Sequence, residues 1–352
     1  MGEEQRLSPE EQIRFAREGF EAGTDFTVAV EEEFAILDPR THGLVNRFEE
    51  LEAAAKVGER RAQLDELAGG LGIALAAVGT HPWSPWQDQR IIDTPHYRRN
   101  DELLRYVVWR NNTFGLHVHI GIRGADRAIA VANALRNYLP ELLAVSASSP
   151  FVEDCYTGLA SARTQIFTRM FPRCGVPDPY DGWAGFEDYV RFLYATGSIT
   201  EHTQLWWSVR PHLAFPTVEI RICDGQPTLA EAQSLAALIY SLTVRLARAI
   251  DEGEPLLDLP HRLIEENLWR AIRYGLSGEM IDFARGETRP ARAQLEALVE
   301  WVLPVAEELG AAQWLSVPAE TATERQVARY EEGATLRQIY AEEVLAREPA
   351  VG

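Results

Sequence analysis

The sequence predicts an α+β fold built on an antiparallel sheet, and three observations carry that expectation. LWWSVRP (205–211) and TVEIRIC (217–223) read as two strands joined by a short turn, HLAFP, that ends in proline. So short a connection joins antiparallel strands, because a parallel pair needs a crossover of roughly a dozen residues or more. The remaining strand-like segments alternate with helical ones, and from residue 228 onward the pattern is mostly helical. A hairpin followed by helices favours α+β over a doubly wound parallel sheet.

The elements follow in order. Residues 8–22 predict a capped helix, with Ser8 at the N-cap, Pro9 at the first helical position and Glu11 completing a capping box. FTVAVEEEFAIL (26–37) alternates as a strand does, 49–68 is a charged amphipathic helix, and 73–78 is a short strand. GTHPWSPW (79–86) is a loop punctuated by glycine and proline. A helix over 95–110, the strand GLHVHIGI over 115–122 and a helix over 125–145 come next. The 150–184 region is loop-rich, and a helix is expected near 185–196. After the hairpin, helices are expected over 228–251, 260–274, 290–309 and 321–346. No internal repeat or low-complexity linker divides the chain. A single domain over 1–352 is therefore expected: a helix in 1–24, most of the sheet in 25–225 and a mainly helical part in 226–352.

Composition narrows the function. At 352 residues, 46% hydrophobic and 25% charged, the chain has the balance of a soluble globular protein. Its net charge of -19 argues against nucleic acid or an anionic membrane as partner. An anionic ligand would then need a few local arginines or a bound metal. Cys155, Cys174 and Cys223 form no CxxC pair and no disulfide framework, which fits a reducing cytoplasm. No signal-peptide pattern opens the sequence, and no apolar run approaches the roughly 18 residues of a membrane span. The glycines form neither GxGxxG nor GxxxxGK[ST], so two common nucleotide-binding signatures are missing.

The chemistry lies in how three strands alternate. Side chains two apart on a strand share a face. His117 and His119 therefore face one way while Leu116, Val118 and Ile120 face the other. Glu31 and Glu33 oppose Val30, Phe34 and Ile36, and Glu219 and Arg221 oppose Val218, Ile220 and Ile222. Each pattern alone has an ordinary explanation: a structural histidine pair, a solvated acidic face, a cross-strand ion pair. Together in one sheet they place three carboxylates, two imidazoles and a guanidinium on a single face. A divalent cation makes such crowding tolerable, and oxygen-rich ligation with an imidazole suits Mg²⁺ or Mn²⁺. Arg221 then reads as a phosphate clamp. Without metal the acids are expected to repel one another, so removing Glu219 should cost little stability. Glu32 falls on the apolar side and needs an edge position or a partner arginine.

VAVEEEFAILDP, AAVGTHPWSPW, FGLHVHIGI, SASSPF, GLASARTQIF, WWSVRPHLAFPTVEIRICD and NLWRAIRYGL, in this order, resemble the bacterial glutamate–cysteine ligase type 2 family. That is a family of carboxylate–amine ligases in the glutamine-synthetase-like superfamily. The resemblance implies an antiparallel sheet curved into a funnel with helices on its outer face. It implies ATP at one end, an amino-acid substrate at the other, and two or three Mg²⁺ or Mn²⁺ ions between. Carried over by position, Glu31, Glu33, His117 and Glu219 are metal ligands, and Arg221 contacts phosphate. His119 faces the phosphates or orients His117, while Arg163 and Arg210 hold substrate carboxylate or the transferring phosphate. His81 is expected to cap a turn. Asn267, Arg270 and Arg273 are spaced to line one helix face, at the nucleotide end or in solvent. The implied reaction is ATP-dependent amide formation through an acyl phosphate, with an amino-acid carboxylate and an amine as partners. The implied setting is cytoplasmic, with self-association left open.

One departure stands out. Family members carry a further acid-bearing strand before the GTHP loop, and none is visible between about Arg47 and Leu64. Glu49, Glu50 and Glu52 fall on a predicted helix. Either the metal site has fewer acids or the polypeptide carries residues there beyond this sequence. Two other functions remain: a metal-dependent hydrolase, and a noncatalytic relative that keeps the fold. Zinc hydrolysis favours more imidazoles than two and needs no arginine among its acids.

Overall fold

A computed structural model of the chain describes residues 7–54 and 61–345. It is an α+β arrangement around a four-stranded antiparallel sheet. Across the sheet the order is Val28–Glu32, Gly115–Gly121, Thr217–Asp224, Val209–Pro211. The histidine strand and the Glu219 strand are thus central, and the expected hairpin closes one side. One sheet face is aliphatic: Val118, Ile120, Val218 and Ile220 are fully buried. They join a core completed by the helices Ala125–Leu135, Leu139–Ser146 and Leu229–Glu252. The opposite face carries the polar residues.

Local chemistry sets the helix ends. Ser8 forms the expected capping box with Glu11 at the start of Pro9–Ala22. Thr228 and Glu231 repeat the device on the 24-residue helix Leu229–Glu252, which Gly253 ends in the left-handed region at φ 68°. That long helix lies under the centre of the sheet, so its buried stripe fixes where the polar face can form.

Several expected elements divide. The 26–37 strand splits into Val28–Glu32 and Ala35–Leu37, and the second piece pairs with Ala74–Ala76 instead. The 49–68 helix resolves into Phe48–Ala54 and Arg61–Gly70, with 55–60 outside the described residues. The 95–110 helix breaks at Arg105, whose φ of 49° cannot continue an α-helix. The 125–145 helix breaks at a tight turn over Arg136–Tyr138, just before Pro140 removes a backbone donor. The 321–346 helix gives Ala322–Glu331 and Leu336–Ile339, with residues from 346 on outside the description. A hairpin, Glu279–Asp282 with Glu287–Pro290, was not expected. Val30, assigned to the packed side, is 47% exposed, as is its neighbour Val28 at 44%. Their strand is the sheet edge, beyond the reach of the helices that cover the centre.

Candidate functional site

Register brings the polar residues together. Glu31 lies opposite His117, and Glu219 lies between His119 on one neighbour and Arg210 on the other. His117 Nδ1 is 3.4 Å from Glu31 Oε2 and 3.8 Å from Glu219 Oε1. His119 Nε2 is 3.9 Å and 3.8 Å from the same two oxygens, and its Nδ1 is 3.1 Å from Thr217 Oγ1. Glu31, His117 and Glu219 offer ligand atoms that all lie within 4.8 Å of one another. Two of these side chains are buried, while Glu31 sits on the edge strand and is 58% exposed. The set is open on one side and closed on the other.

Glu219 is the hub. Arg210 Nε donates to its Oε2 at 2.7 Å, and Arg221 Nη1 donates to its Oε1. Burial pushes this carboxyl up, but the two guanidiniums more than offset burial and hold it well below the usual range. The acid does not simply repel its neighbours in the metal-free protein, contrary to expectation. Two arginines neutralise it. Glu31 is likewise held low by the His117 and His119 imidazoles. Burial, reinforced by Arg221, lowers His117, which keeps its ring neutral and able to ligate metal.

The other assigned residues take differing places. Glu33 falls just past the strand end, and its Oε2 accepts from Gly115 N–H at 2.5 Å, outside the Glu31–His117–Glu219 set. Arg163 donates to the carbonyls of Ile222 and Arg221 at 3.1 and 3.3 Å and lies 3.7 Å from Asp224. It braces the strand beside Arg221 and borders a small cleft with Ser208, Trp206 and Phe167. Gly115 makes this possible, because a Cβ there would come within 2.2 Å of Arg163 Nη2. His81 caps a turn as expected: its Nδ1 accepts from Ser84 N–H at 3.0 Å, and burial lowers its pKa to about 4. Asn267 exchanges hydrogen bonds with Ile281, and Arg270 and Arg273 donate to the carbonyls of Glu279 and Gly158. That helix face braces a hairpin and a loop. Glu32 finds its arginine in Arg61, 3.5 Å away. In the stretch from Phe48 to Leu64 the described residues are helical, and Glu50 pairs with Arg47 just before the first helix at 2.6 Å. The acid-bearing strand is not among them.

Two residues escaped the strand reading. The pairing slips by one between Ile220 and Cys223, so a bulge at Arg221–Ile222 turns Asp224 onto the polar side opposite Gly115. Asp224 accepts from Ser149 Oγ at 2.6 Å, Ser161 Oγ at 2.9 Å and Ser148 N–H at 3.0 Å. This knot fixes the end of the Glu219 strand. His212, two residues after Arg210, has Nε2 4.0 Å from Glu219 Oε2 and a ring centroid 5.5 Å from that of His119. Its alternation with Ser208 and Arg210 was the available signal.

A cluster of acids, imidazoles and arginines on one face of an antiparallel sheet is the setting in which likeness to known proteins has meaning. The model of glutamate-cysteine ligase family 2 matches residues 48–341. The chain belongs to that family. Among curated relatives, "Putative glutamate--cysteine ligase 2-1" of Frankia casuarinae is 43% identical over 265 residues, 75% of this chain and 69% of that protein. A glutamate–cysteine ligase 2 relative similarly named in Sorangium cellulosum is 36% identical over 344 residues, covering 87% and 92%. The fold is similar to a glutamate–cysteine ligase from Francisella tularensis solved in complex with AMP. Its TM-score is 0.59 at 11% identity, over 93% of this chain and 91% of that one. It is also similar to a bifunctional glutathione synthetase from Pasteurella multocida, with TM-score 0.53 and 15% identity, over 77% of this chain. The chain spans 41% of that larger protein. The match to the family begins after the strand that carries Glu31, so that residue rests on the geometry. Among the described residues no helix is long and apolar enough to cross a membrane.

Proposed function

We propose that this protein is an ATP-dependent carboxylate–amine ligase that forms an amide bond through an acyl phosphate. The observation that carries the reading is the Glu219 carboxylate, shared by Arg210 and Arg221 and facing the Glu31–His117 pair. Phosphoryl transfer to a carboxylate brings two anions together, and catalysis rests on positioning and on cations that stabilise spread negative charge. The site supplies both arginines and a place for a cation.

The donor set fits Mg²⁺ or Mn²⁺: two carboxylates and a neutral imidazole are hard and borderline ligands, and no thiolate joins them. Glu31, His117 and Glu219 would hold the ion, with Glu33 and His119 beside them. A bound divalent cation would draw charge from the transferring phosphoryl group and from Glu219. Arg210 and Arg221 would then be released from that carboxylate to meet the incoming anions. The carboxylate of the acid substrate attacks the γ-phosphorus of ATP, ADP leaves, and an acyl phosphate forms. The amine then attacks the carbonyl carbon, phosphate departs and the amine gives up a proton. No cysteine or serine nucleophile is called for, and Cys223, buried with its thiol pushed up to about 12 by desolvation, is unsuited to be one.

The names of the relatives make L-glutamate and L-cysteine the first pair to test. Phosphate release from ATP that requires Mg²⁺, an acid and an amine supports the ligase. Ester or amide hydrolysis with metal alone would favour the hydrolase. Failure of every acid and amine in a broad panel would favour a noncatalytic relative.

A further inference from the structure

His212 is held differently from every other polar side chain in the cluster. Its Nδ1 accepts the backbone N–H groups of Ala214 and Phe215, at 3.1 and 3.2 Å. An imidazole nitrogen that accepts cannot carry the proton, so the hydrogen of the neutral ring resides on Nε2. That nitrogen lies beside the hub: Glu219 Oε2 is 4.0 Å away, beyond hydrogen-bond length. Among the described residues Nε2 has no hydrogen-bond acceptor. The ring itself is fixed. Phe215 stacks on it at 4.9 Å and 20° between planes, and His119 and His202 meet it edge-on at 5.5 and 6.0 Å.

The neighbouring donors are already engaged in part. Arg210 spends Nε on Glu219 and Nη1 on the Leu205 carbonyl, and Arg221 spends Nη1 on Glu219. A rigid, uncharged donor with no acceptor among the described residues, beside a cluster that carries two arginines, has the form of an oxyanion donor. We infer that His212 donates its Nε2 hydrogen to an anionic oxygen of the acid substrate's carboxylate, or of the phosphoryl group that carboxylate accepts. The inference rests on the ligase reading for the identity of that oxygen, while the presence of a free donor rests on the geometry alone. His212 would touch the substrate directly, which makes it a catalytic residue and more than a spacer behind Glu219.

The decisive variant is His212→Asn. Its Oδ1 takes the place of Nδ1 as acceptor for the Ala214 and Phe215 N–H groups, so the turn is kept, while the donor at Nε2 is lost. His212→Gln places an amide N–H near the Nε2 position. In the phosphate-release assay with ATP, L-glutamate and L-cysteine, or the first panel pair that supports turnover, His212→Asn should lose roughly a hundredfold in kcat/KM for the acid. A rise in KM alone marks a bond to the ground-state carboxylate, and a fall in kcat marks a bond to the transferring phosphoryl group. His212→Gln should recover at least part of the loss, and Mn²⁺ affinity without substrate should stay at the wild-type value in both. Unchanged kcat/KM in His212→Asn overturns the inference. So does a loss matched by an equal loss of Mn²⁺ affinity, which would make His212 only a support for Glu219. If wild-type protein turns over no pair, the ligase reading fails and calorimetric binding of inorganic phosphate with Mn²⁺ becomes the test. Weaker phosphate binding by His212→Asn then supports the donor, and equal binding overturns it.

Discussion

Replacing Glu219 by glutamine removes one charge from a buried cluster and nearly nothing from its volume. The side chain is 1% exposed and that of Arg210 is 8%, so the loss leaves a guanidinium in the interior without its carboxylate. Arg221, 15% exposed, loses the same partner. Breaking a buried pair by removing one member costs about 3–5 kcal/mol, because the remaining charge stays desolvated. Glu31 stands close enough to take over part of the compensation, so the lower end, about 3 kcal/mol, is expected at pH 7. The pH dependence adds a second signature. The folded carboxyl is held below its unfolded value of 4.5, so its contribution is complete above that value and is lost as pH falls further. Wild-type protein should therefore lose stability from about pH 5 downward more steeply than Glu219→Gln. Urea unfolding of both proteins at pH 7 and pH 4 measures this, and Arg210→Gln combined with Glu219→Gln should recover part of the loss. A Glu219→Gln protein as stable as wild type at pH 7, with the same pH response, would refute the account of Glu219 as the neutralised hub.

Other expected outcomes follow from single contacts. Arg221→Lys should keep the fold and lose on the order of 3 kcal/mol of transition-state stabilisation, roughly a hundredfold in kcat, since an ammonium cannot present a planar fork; normal kcat per folded molecule would make Arg221 a structural ion-pair member. Gly115→Ala drives a Cβ to within 2.2 Å of Arg163 Nη2 and should destabilise the protein by about 1–3 kcal/mol, read as a lower unfolding midpoint; an unchanged midpoint would mean that Arg163 moves aside freely. Glu141 has a buried Oε2 without a hydrogen-bond partner, and burial raises its pKa from 4.5 to about 7. For an acid raised on folding, stability falls as pH rises from the unfolded to the folded value, so Glu141→Gln should stabilise by roughly 3 kcal/mol at pH 8 and by less than about 0.5 kcal/mol at pH 4.5. Equal effects at both pH values would show that charge burial is not the cause.

Alternation along a strand was legible where the strand runs straight. His117, Glu219 and Arg221 kept the face assigned to them, and Glu31 met His117 across the sheet as that parity requires. The same rule failed where backbone geometry departs from it. Glu33 lies beyond the last paired residue, so its parity no longer describes its direction. Asp224 was lost because a one-residue bulge inverts every later side chain, and nothing in TVEIRICD announces a bulge. Val28 and Val30 have the composition of a packed face, but whether helices reach an edge strand is decided by tertiary structure. Arg221, two residues along the same strand from Glu219, was legible as its partner, whereas Arg210 reaches Glu219 across a register, where a motif names residues without naming their partners.

The central claim is that a carboxylate is activated by phosphorylation in this site, and oxygen transfer tests it most directly. The acid substrate that supports turnover is labelled with ¹⁸O in its carboxylate and incubated with ATP, Mg²⁺ and the amine. The inorganic phosphate produced is then examined by ³¹P NMR or mass spectrometry. An acyl-phosphate route predicts one labelled oxygen in that phosphate, delivered from the carboxylate, alongside ADP. Phosphate that carries no label would contradict the account, because its oxygen would then have come from water.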